Sequence, residues 1–327
     1  MPNKTNGREH IIRQAAVLVT GGSGLIGRHV VKQLASSDEI VVSMYRHRLP
    51  EPMANVYPVC SDMSSPELIA APLNGVSTVL HLAWENNFVG PAEQVDWNFG
   101  GGNYPANIRT LVNLITAMER AGTRRLIFVS AVGASRKAQA AFLREKYLAE
   151  FFILNSKIPE KIIIRSSLVC EEGSADRFTR SILRVMKYPL VYPVPKSTQE
   201  IAPIQVEGMA NLLVELSRIP VTEPNAIIEV TGDEVCNVSQ LFHLVSARFN
   251  AGNKFALGGM LGNSLLPLFE RQSRDADIPS LKHFLALNNQ TDEAIKKENP
   301  LAERVAAHLP SFKKSLTLDS SKTTTNL

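Results

Sequence analysis

Four glycines near the start of the chain have the spacing that phosphate binding requires. Residues 20–27 read TGGSGLIG, in which Gly22, Gly24 and Gly27 follow the G-x-G-x-x-G spacing and Gly21, Gly24 and Gly27 recur at every third residue. Glycines so placed allow a tight turn, a close approach of pyrophosphate to the backbone, and close packing of a helix on a strand. We therefore predict a dinucleotide site on this turn and the start of the next helix, formed by Gly21, Gly22, Ser23, Gly24, Leu25, Ile26 and Gly27.

The end of the second predicted strand indicates which dinucleotide binds. Residues 44–48 read MYRHR, without the carboxylate that binds the ribose 2′-hydroxyl of NAD. The nearest acidic residues precede the strand and so lie at the opposite edge of the sheet. We therefore predict NADP(H), with Arg46 or Arg48 pairing with its 2′-phosphate and Arg28 assisting. The alternative is a solvated basic loop without a ligand.

Alternating strands and helices must hold this turn in place. Short β-branched runs predict buried strands at residues 16–20, 40–44, 56–59, 78–82, 126–129 and 162–164. Amphipathic stretches predict helices between them, including residues 108–121 and 138–154. This alternation is typical of right-handed βαβ units, so we predict an α/β fold: a doubly wound parallel sheet (Rossmann) with a smaller C-terminal substrate lobe.

The rhythm of the chain changes after about residue 170, and this sets the predicted domain boundaries. Residues 1–14 form an N-terminal extension, and residues 15–175 form the NADP-binding domain, to which residues 201–230 return. Residues 176–200 and 231–312 form the substrate lobe, where Asn237 and Gln240 have the spacing of a helix capping box. Residues 313–327 are rich in Ser, Thr and Lys and predict a disordered tail.

Composition excludes several classes of protein. The chain has 327 residues, of which 44% are hydrophobic, so it can bury a core without disulfide or metal staples. Its net charge of +4 is too small to indicate nucleic acid, and no apolar run reaches the roughly 18 residues of a membrane span. The N-terminus does not read as a signal peptide, and Cys60, Cys170 and Cys236 stand too far apart for a metal site. We expect a cytoplasmic protein with a small-molecule substrate and no metal, and a homodimer as one assembly that it can form.

Between about residues 14 and 310 the sequence resembles the short-chain dehydrogenase/reductase superfamily, in its extended and atypical, epimerase/dehydratase-like branches. The motifs that carry the resemblance are the glycine turn and a set of residues near the ends of later strands and on later helices: Asp62, Met63, His81, Leu82, Ala83, Asn107, Asn113, Ser130, Lys146 and Arg165.

The resemblance implies where a dinucleotide would lie. Asp62 and Met63 would flank the adenine. The ribose and pyrophosphate would be bordered by Leu82, Ala83 and Trp84. Residues 166–169, including Ser167, would approach the nicotinamide.

The sequence departs from this superfamily at its proton relay. Active members place a tyrosine four residues before a lysine on one helix face, and the phenol exchanges the proton as hydride moves. Here Lys146 is present, but Phe142 stands at the tyrosine position and Ala131 at the catalytic serine position. Ser130 would replace that serine if the register differs by one residue. Lys146, Ser130 and Asn107 are therefore the candidate catalytic residues, and Lys146 is also a candidate contact to the nicotinamide ribose.

An aromatic segment follows the fourth predicted strand. Residues 84–106 contain a triple glycine and five aromatic residues, Trp84, Phe88, Trp97, Phe99 and Tyr104. This connection leaves the edge of the sheet at which ligands bind, so it forms either a lid over a flat apolar substrate or the packing of a peripheral helix. The candidate substrate contacts are Trp84, Tyr104, Val132 and Phe142.

Three functions are compatible with these residues. The first is an NADP(H)-dependent oxidoreductase of the atypical short-chain type that acts on a small apolar or aromatic metabolite. The second is a catalytically silent NADP(H)-binding protein, either a redox sensor or an accessory or assembly subunit. The third is a non-redox isomerase or cyclase on the same scaffold. The losses at Phe142 and Ala131 favour the second and third functions, since phenylalanine and alanine have no transferable proton.

Overall fold

The computed structural model describes residues 17–37, 39–85, 104–138, 140–171, 191–193, 200–220, 224–233, 235–248 and 255–257. The strands in these residues are β1 (Val17–Thr20), β2 (Val41–Tyr45), β3 (Val56–Cys60), β4 (Thr78–His81), β5 (Arg125–Ala131), β6 (Glu160–Ser166), β7 (Val169–Cys170), β8 (Val191–Pro193), β9 (Glu200–Ile201), β10 (Ile204–Gln205), β11 (Asn225–Val230), β12 (Cys236–Asn237) and β13 (Phe255–Leu257). The helices are α1 (Leu25–Ser36), α2 (Glu67–Ala70), α3 (Ala106–Ala121), α4 (Ala141–Leu154), α5 (Val206–Arg218) and α6 (Val238–Arg248).

One parallel sheet organises the fold. It contains seven strands in the order β11-β6-β5-β4-β1-β2-β3, and the short strands form three separate pairs, β10 with β7, β12 with β9, and β13 with β8. The strand order reverses between β1 and β4, because the chain runs from β1 outward to β3 and then returns to β4 on the other side. The predicted doubly wound α/β fold is confirmed.

The core lies in two layers, one on each face of the sheet. Alternate residues of a strand point to opposite faces, so Val19 joins the layer beneath α1 and α5 while Leu18 joins the layer beneath α3 and α4. On the first face, Leu34 of α1 and Leu213 of α5 are fully buried. On the second face, Leu111 of α3 is fully buried.

The predicted strand and helix positions agree with the structure, but two strands are longer than their apolar cores. β5 begins at Arg125 and β6 begins at Glu160, both buried polar residues. Arg125 Nε donates to Glu160 Oε2 at 2.7 Å, and Arg125 Nη1 donates to the Leu216 carbonyl at 2.8 Å. A hydrophobic pattern misses these ends because the charges are buried only as partners of one another.

Part of the predicted C-terminal organisation is visible. β11 pairs in parallel with β6 at the edge of the sheet. The capping box before α6 is confirmed: the Asn237 N–H donates to Gln240 Oε1 and the Gln240 N–H donates to Asn237 Oδ1, both at 2.8 Å. The predicted N-terminal extension and tail, and most of the predicted substrate lobe, lie outside the described residues, so the domain boundaries stay predictions.

In the described part of the chain, no helix combines the length and the apolar character needed to cross a membrane. The same residues bring together no group of three His, Cys, Asp or Glu side chains that could hold a metal ion.

Candidate functional site

Three glycines of the turn leave no room for a side chain within the fold, whereas the fourth, Gly24, faces solvent. Gly21 has a φ of +69°, and a Cβ there would lie 2.8 Å from the Ala83 nitrogen. A Cβ on Gly27 would lie 2.1 Å from the Gly21 carbonyl oxygen, and a Cβ on Gly22 would lie 2.1 Å from Ser43 Oγ. Gly24 is exposed, and the one atom that a Cβ there would crowd is the Gly21 oxygen, at 3.1 Å. Gly24 therefore leaves the backbone open to a ligand.

The N-terminus of α1 fits a phosphate group. Gly24 caps the helix without a side-chain hydrogen bond, and the first turn contains no acidic residue. The backbone around it is fixed, since the Gly24 N–H donates to the Gly21 carbonyl at 2.9 Å and the Arg28 N–H donates to the Gly24 carbonyl at 3.1 Å. The free N–H groups of this first turn and the helix dipole favour an anion. Predicted contacts Ser23, Leu25 and Ile26 lie in this turn and helix start, and all three are partly buried.

A threonine joins the end of β1 to the segment that follows β4. Thr20 Oγ1 accepts from the N–H groups of Leu82 and Ala83, at 3.1 and 3.2 Å, and lies 2.8 Å from His81 Nδ1. Because that oxygen already accepts two N–H groups, its own proton is directed to His81 Nδ1 and the imidazole proton lies on Nε2. Burial, with the charge of Lys146, lowers the pKa of His81 to about 3, so this histidine is neutral.

The predicted adenine contacts lie in a turn after β3. Asp62 Oδ1 accepts from the Ser64 N–H at 2.9 Å, and this hydrogen bond lowers the pKa of the exposed Asp62 carboxyl. Met63 is buried and has a φ of +53°. Asn113 of α3 donates to the carbonyls of Met63 and Ser64, at 3.0 and 2.9 Å. Asn113 therefore holds this turn in position.

Two of the three arginines predicted to bind a 2′-phosphate form ion pairs with carboxylates that were not predicted from the sequence. Arg46, directly after β2, forms an ion pair with Glu85. Arg28 forms an ion pair with Glu171 through both carboxylate oxygens. Arg48 is exposed and makes no ion pair within the described residues. No local spacing links these partners, so the sequence carried no signal for them.

Asn107 positions the segment after β4. Its Oδ1 accepts from the Glu85 N–H and its Nδ2 donates to the Glu85 carbonyl, both at 2.8 Å. Nδ2 also lies 3.3 Å from Glu145 Oε1. The side-chain amide of Asn107 is thus engaged with the Glu85 backbone, and a catalytic role for it stays a prediction.

Lys146 lies in an aromatic cage between α4 and the sheet. Its Nζ donates to the Val129 carbonyl at 2.8 Å and lies 3.8 Å from the ring centroid of Trp84 and 4.7 Å from that of Phe128. The Phe142 ring, one helical turn earlier, is 5.8 Å away. The residue is 5% exposed. Burial lowers the pKa of Lys146 to about 7, although nearby carboxylates oppose the shift.

Ser130 belongs to a buried polar network under α4. Its buried Oγ donates to Glu150 Oε1 at 2.5 Å, and Arg165 Nη2 donates to Glu150 Oε2 at 2.8 Å. Glu229 extends this buried network, at 3.5 Å from Arg165 Nη1. The hydroxyl is thus engaged in a buried network under α4, and its role in place of the missing catalytic serine stays a prediction.

The remaining candidate contacts lie in two places. Val132 and Ser167 are buried beyond the carboxyl ends of β5 and β6, where the Val132 N–H donates to the Ser166 carbonyl at 3.0 Å and the Ser167 N–H donates to the Val230 carbonyl at 2.9 Å. Tyr104 packs edge-on against Phe152 of α4, with ring centroids 5.3 Å apart. This ring contact favours, for Tyr104, a role in packing over a role in a lid. Of the other aromatic residues of that segment, Trp84 contacts Lys146, and Phe88, Trp97 and Phe99 lie outside the described residues.

Comparison with known proteins finds similarity to an NAD(P)H-binding family in the first half of the chain. Residues 21–168 match a family model described as NAD(P)H-binding. The mitochondrial NADH dehydrogenase [ubiquinone] 1 alpha subcomplex subunit 9 of Arabidopsis thaliana is 26% identical over 250 residues, which cover 74% of this chain and 59% of the plant protein. The 3 beta-hydroxysteroid dehydrogenase/Delta 5-->4-isomerase of Mycobacterium tuberculosis is 31% identical over 117 residues, which cover 35% of this chain and 31% of that enzyme.

A solved structure shares the architecture. The nucleoside-diphosphate-sugar epimerase of Staphylococcus aureus superposes with a TM-score of 0.64 at 14% identity, over 89% of this chain and 99% of the epimerase. At this identity the likeness concerns the fold. Residues 21–168 therefore resemble an NAD(P)H-binding domain, and the chain shares its Rossmann-like α/β fold with the epimerase.

Proposed function

We propose that the chain is an NADP(H)-dependent oxidoreductase acting on a small apolar or aromatic carbonyl or alcohol, with Lys146 as the residue that gives or takes the proton. The observation that carries this proposal is the buried amine of Lys146, whose pKa is lowered to about 7. A general acid or base works best when its pKa lies near the operating pH. Lys146 thus has a transferable proton, which Phe142 and Ala131 lack.

Three groups of described residues support a cofactor at this edge of the sheet. The open turn at Gly24 and the N-terminus of α1 would hold the pyrophosphate, and Arg46 would reach the 2′-phosphate. The turn of Asp62 and Met63 would border the adenine. When bound, NADPH supplies a hydride from its nicotinamide ring.

The surroundings of Lys146 favour an apolar substrate. Trp84 and Phe142 flank the amine, and Val132 lies buried at the end of the neighbouring strand. Such surfaces bind apolar or aromatic groups, while a single polar group fixes the orientation of the ligand. In reduction, the Lys146 ammonium would donate its proton to the substrate oxygen as the hydride reaches the carbonyl carbon, and the neutral amine would regain a proton from solvent.

Substitution of Lys146 and Phe142 tests the assignment. We expect Lys146→Met to lower turnover by roughly 100- to 10,000-fold, the usual contribution of a positioned acid or base. Phe142→Tyr is expected to leave turnover little changed or to lower it by crowding the cage. NADPH consumption with benzaldehyde and acetophenone as probes gives the rates, and fluorescence titration gives NADPH binding. Lys32→Met, on the exposed side of α1, is the matched control. A Lys146→Met variant that binds NADPH and turns over at the wild-type rate would show that the active site lies elsewhere.

A second candidate function is a silent NADP(H)-binding subunit. Trp84 covers the Lys146 amine and the Val129 carbonyl accepts from it, so the amine is engaged within the fold. The similarity to the mitochondrial NADH dehydrogenase subunit supports the same alternative. If it holds, NADPH binds to the wild-type protein, no carbonyl probe is reduced, and Lys146→Met changes binding alone.

A further inference from the structure

The ion pair between Arg46 and Glu85 crosses the proposed cofactor site. Arg46 directly follows β2, and Glu85 lies in the segment after β4. In the sheet, β1 lies between these two strands, so the pair passes beyond the carboxyl end of β1, where the glycine turn begins. Dinucleotides bind at this edge of the sheet, at the point where the strand order reverses.

The position of Glu85 is set by the fold, while its carboxylate stays within reach of a ligand. Asn107 holds both the N–H and the carbonyl of Glu85 at 2.8 Å. The side chains of Arg46 and Glu85 are 48% and 36% exposed. A bound nucleotide can therefore approach and separate the two charges.

We propose that Glu85 is a specificity-determining residue, which accepts the ribose 2′-hydroxyl of NAD(H) and competes with the 2′-phosphate of NADP(H) for Arg46. This inference rests on the proposed cofactor site. The strand end that usually carries the acid that binds the 2′-hydroxyl carries Arg46 instead. Glu85, from the other side of β1, brings a carboxylate to the same guanidinium, so an acid from the segment after β4 takes the place of the missing one.

The ion pair between Arg46 and Glu85 is expected to affect the affinities for the two cofactors in opposite directions. The 2′-hydroxyl of NAD(H) can donate to the Glu85 carboxylate without disturbing Arg46. The 2′-phosphate of NADP(H) must draw Arg46 away from Glu85 and then lies near the Glu85 carboxylate, a group of like charge. Glu85 thus raises the affinity for NAD(H) and restrains the affinity for NADP(H).

The test is the affinity of each nucleotide for Glu85→Gln. We expect NADPH to bind about three- to tenfold more tightly and NADH about two- to fivefold more weakly than in the wild type, the size of partly exposed charge and hydrogen-bond effects. Glu85→Asp, which keeps the charge on a shorter side chain, is expected to give smaller shifts in the same directions. In an Arg46→Gln background the gain for NADPH from Glu85→Gln should be smaller, because no guanidinium remains to be released.

Glu67→Gln is the matched control, since it breaks an exposed ion pair with Arg120 on α2 and α3. It should leave both affinities unchanged. If both nucleotides bind but Glu85→Gln leaves their affinity ratio within twofold of the wild type, the role of Glu85 is refuted and the cofactor site stands. If neither nucleotide binds the folded wild-type protein, the proposed function fails together with the inference.

Discussion

At the scale of single residues, the amine of Lys146 is buried, and burial disfavours its charged form. Burial lowers its pKa from the ordinary 10.5 to about 7. The unfolded chain keeps this proton up to about pH 10.5, whereas the folded chain releases it near pH 7. Between these values the unfolded state binds more protons, so the contribution of Lys146 to folding stability rises with pH. Below pH 7 the buried charge destabilises the fold in full.

Lys146→Met removes the free-energy cost of burying this charged amine. We expect the variant to be more stable than the wild type at pH 6 by a few kcal/mol, on the order of what burying one ammonium costs. The difference should shrink as the pH rises from 7 toward 10. Urea unfolding of both proteins at pH 6 and pH 9 measures it. A variant that is equally destabilised at both pH values would show that the charged amine stabilises the fold.

The proposed preference for NADP(H) over NAD(H) also depends on single side chains. Arg46 is the cation that we propose for the 2′-phosphate, and it forms an ion pair with Glu85. On this proposal the Glu85 carboxylate limits the preference that arginine alone would give, so Arg46 and Glu85 act as one unit.

At the scale of elements, different glycines of the turn between β1 and α1 are expected to serve nucleotide binding and folding. Gly24 has φ −77° and ψ 178°, an extended conformation that any residue adopts. Gly27, in contrast, lies directly against the Gly21 carbonyl. Substitutions at these two glycines are therefore expected to have different effects.

Gly24→Val is expected to abolish NADPH binding and to leave the fold intact, because its side chain occupies the place of the pyrophosphate. Gly27→Ala is expected to destabilise the protein by about 1–3 kcal/mol or more, because its Cβ meets backbone atoms. Calorimetric titration with NADPH and thermal unfolding distinguish the two effects. Wild-type affinity in Gly24→Val would show that this turn is not the phosphate site.

At the scale of the whole molecule, cofactor preference is measurable as stability. A ligand that binds the folded state stabilises it in proportion to the logarithm of its concentration over its Kd. We expect NADPH to bind at least about tenfold more tightly than NADH. At equal saturating concentrations, NADPH should therefore raise the free energy of unfolding by about 1.4 kcal/mol more than NADH does. Denaturant unfolding with each nucleotide checks this. Equal stabilisation, or greater stabilisation by NADH, would contradict the preference for NADP(H).

The sequence by itself determined the parallel α/β sheet and the phosphate-binding turn. Both depend on residue types at short spacing: β-branched runs followed by amphipathic stretches, and glycines at positions 22, 24 and 27. By resemblance it also predicted that Phe142 and Ala131 replace the tyrosine and serine of the proton relay of short-chain dehydrogenases. These features follow from local composition and need no knowledge of distant contacts.

Only the tertiary structure decided how the polar side chains of the site are paired. Arg28 and Glu171 are 143 residues apart in the chain, and Arg46 meets Glu85 across β1. The hydrogen bond from Ser130 to Glu150, and the burial that lowers the pKa of Lys146, likewise depend on how α4 packs on the sheet. Strand order and helix packing create these contacts, and the free energy of a buried or paired charge depends on neighbours that no spacing along the chain specifies.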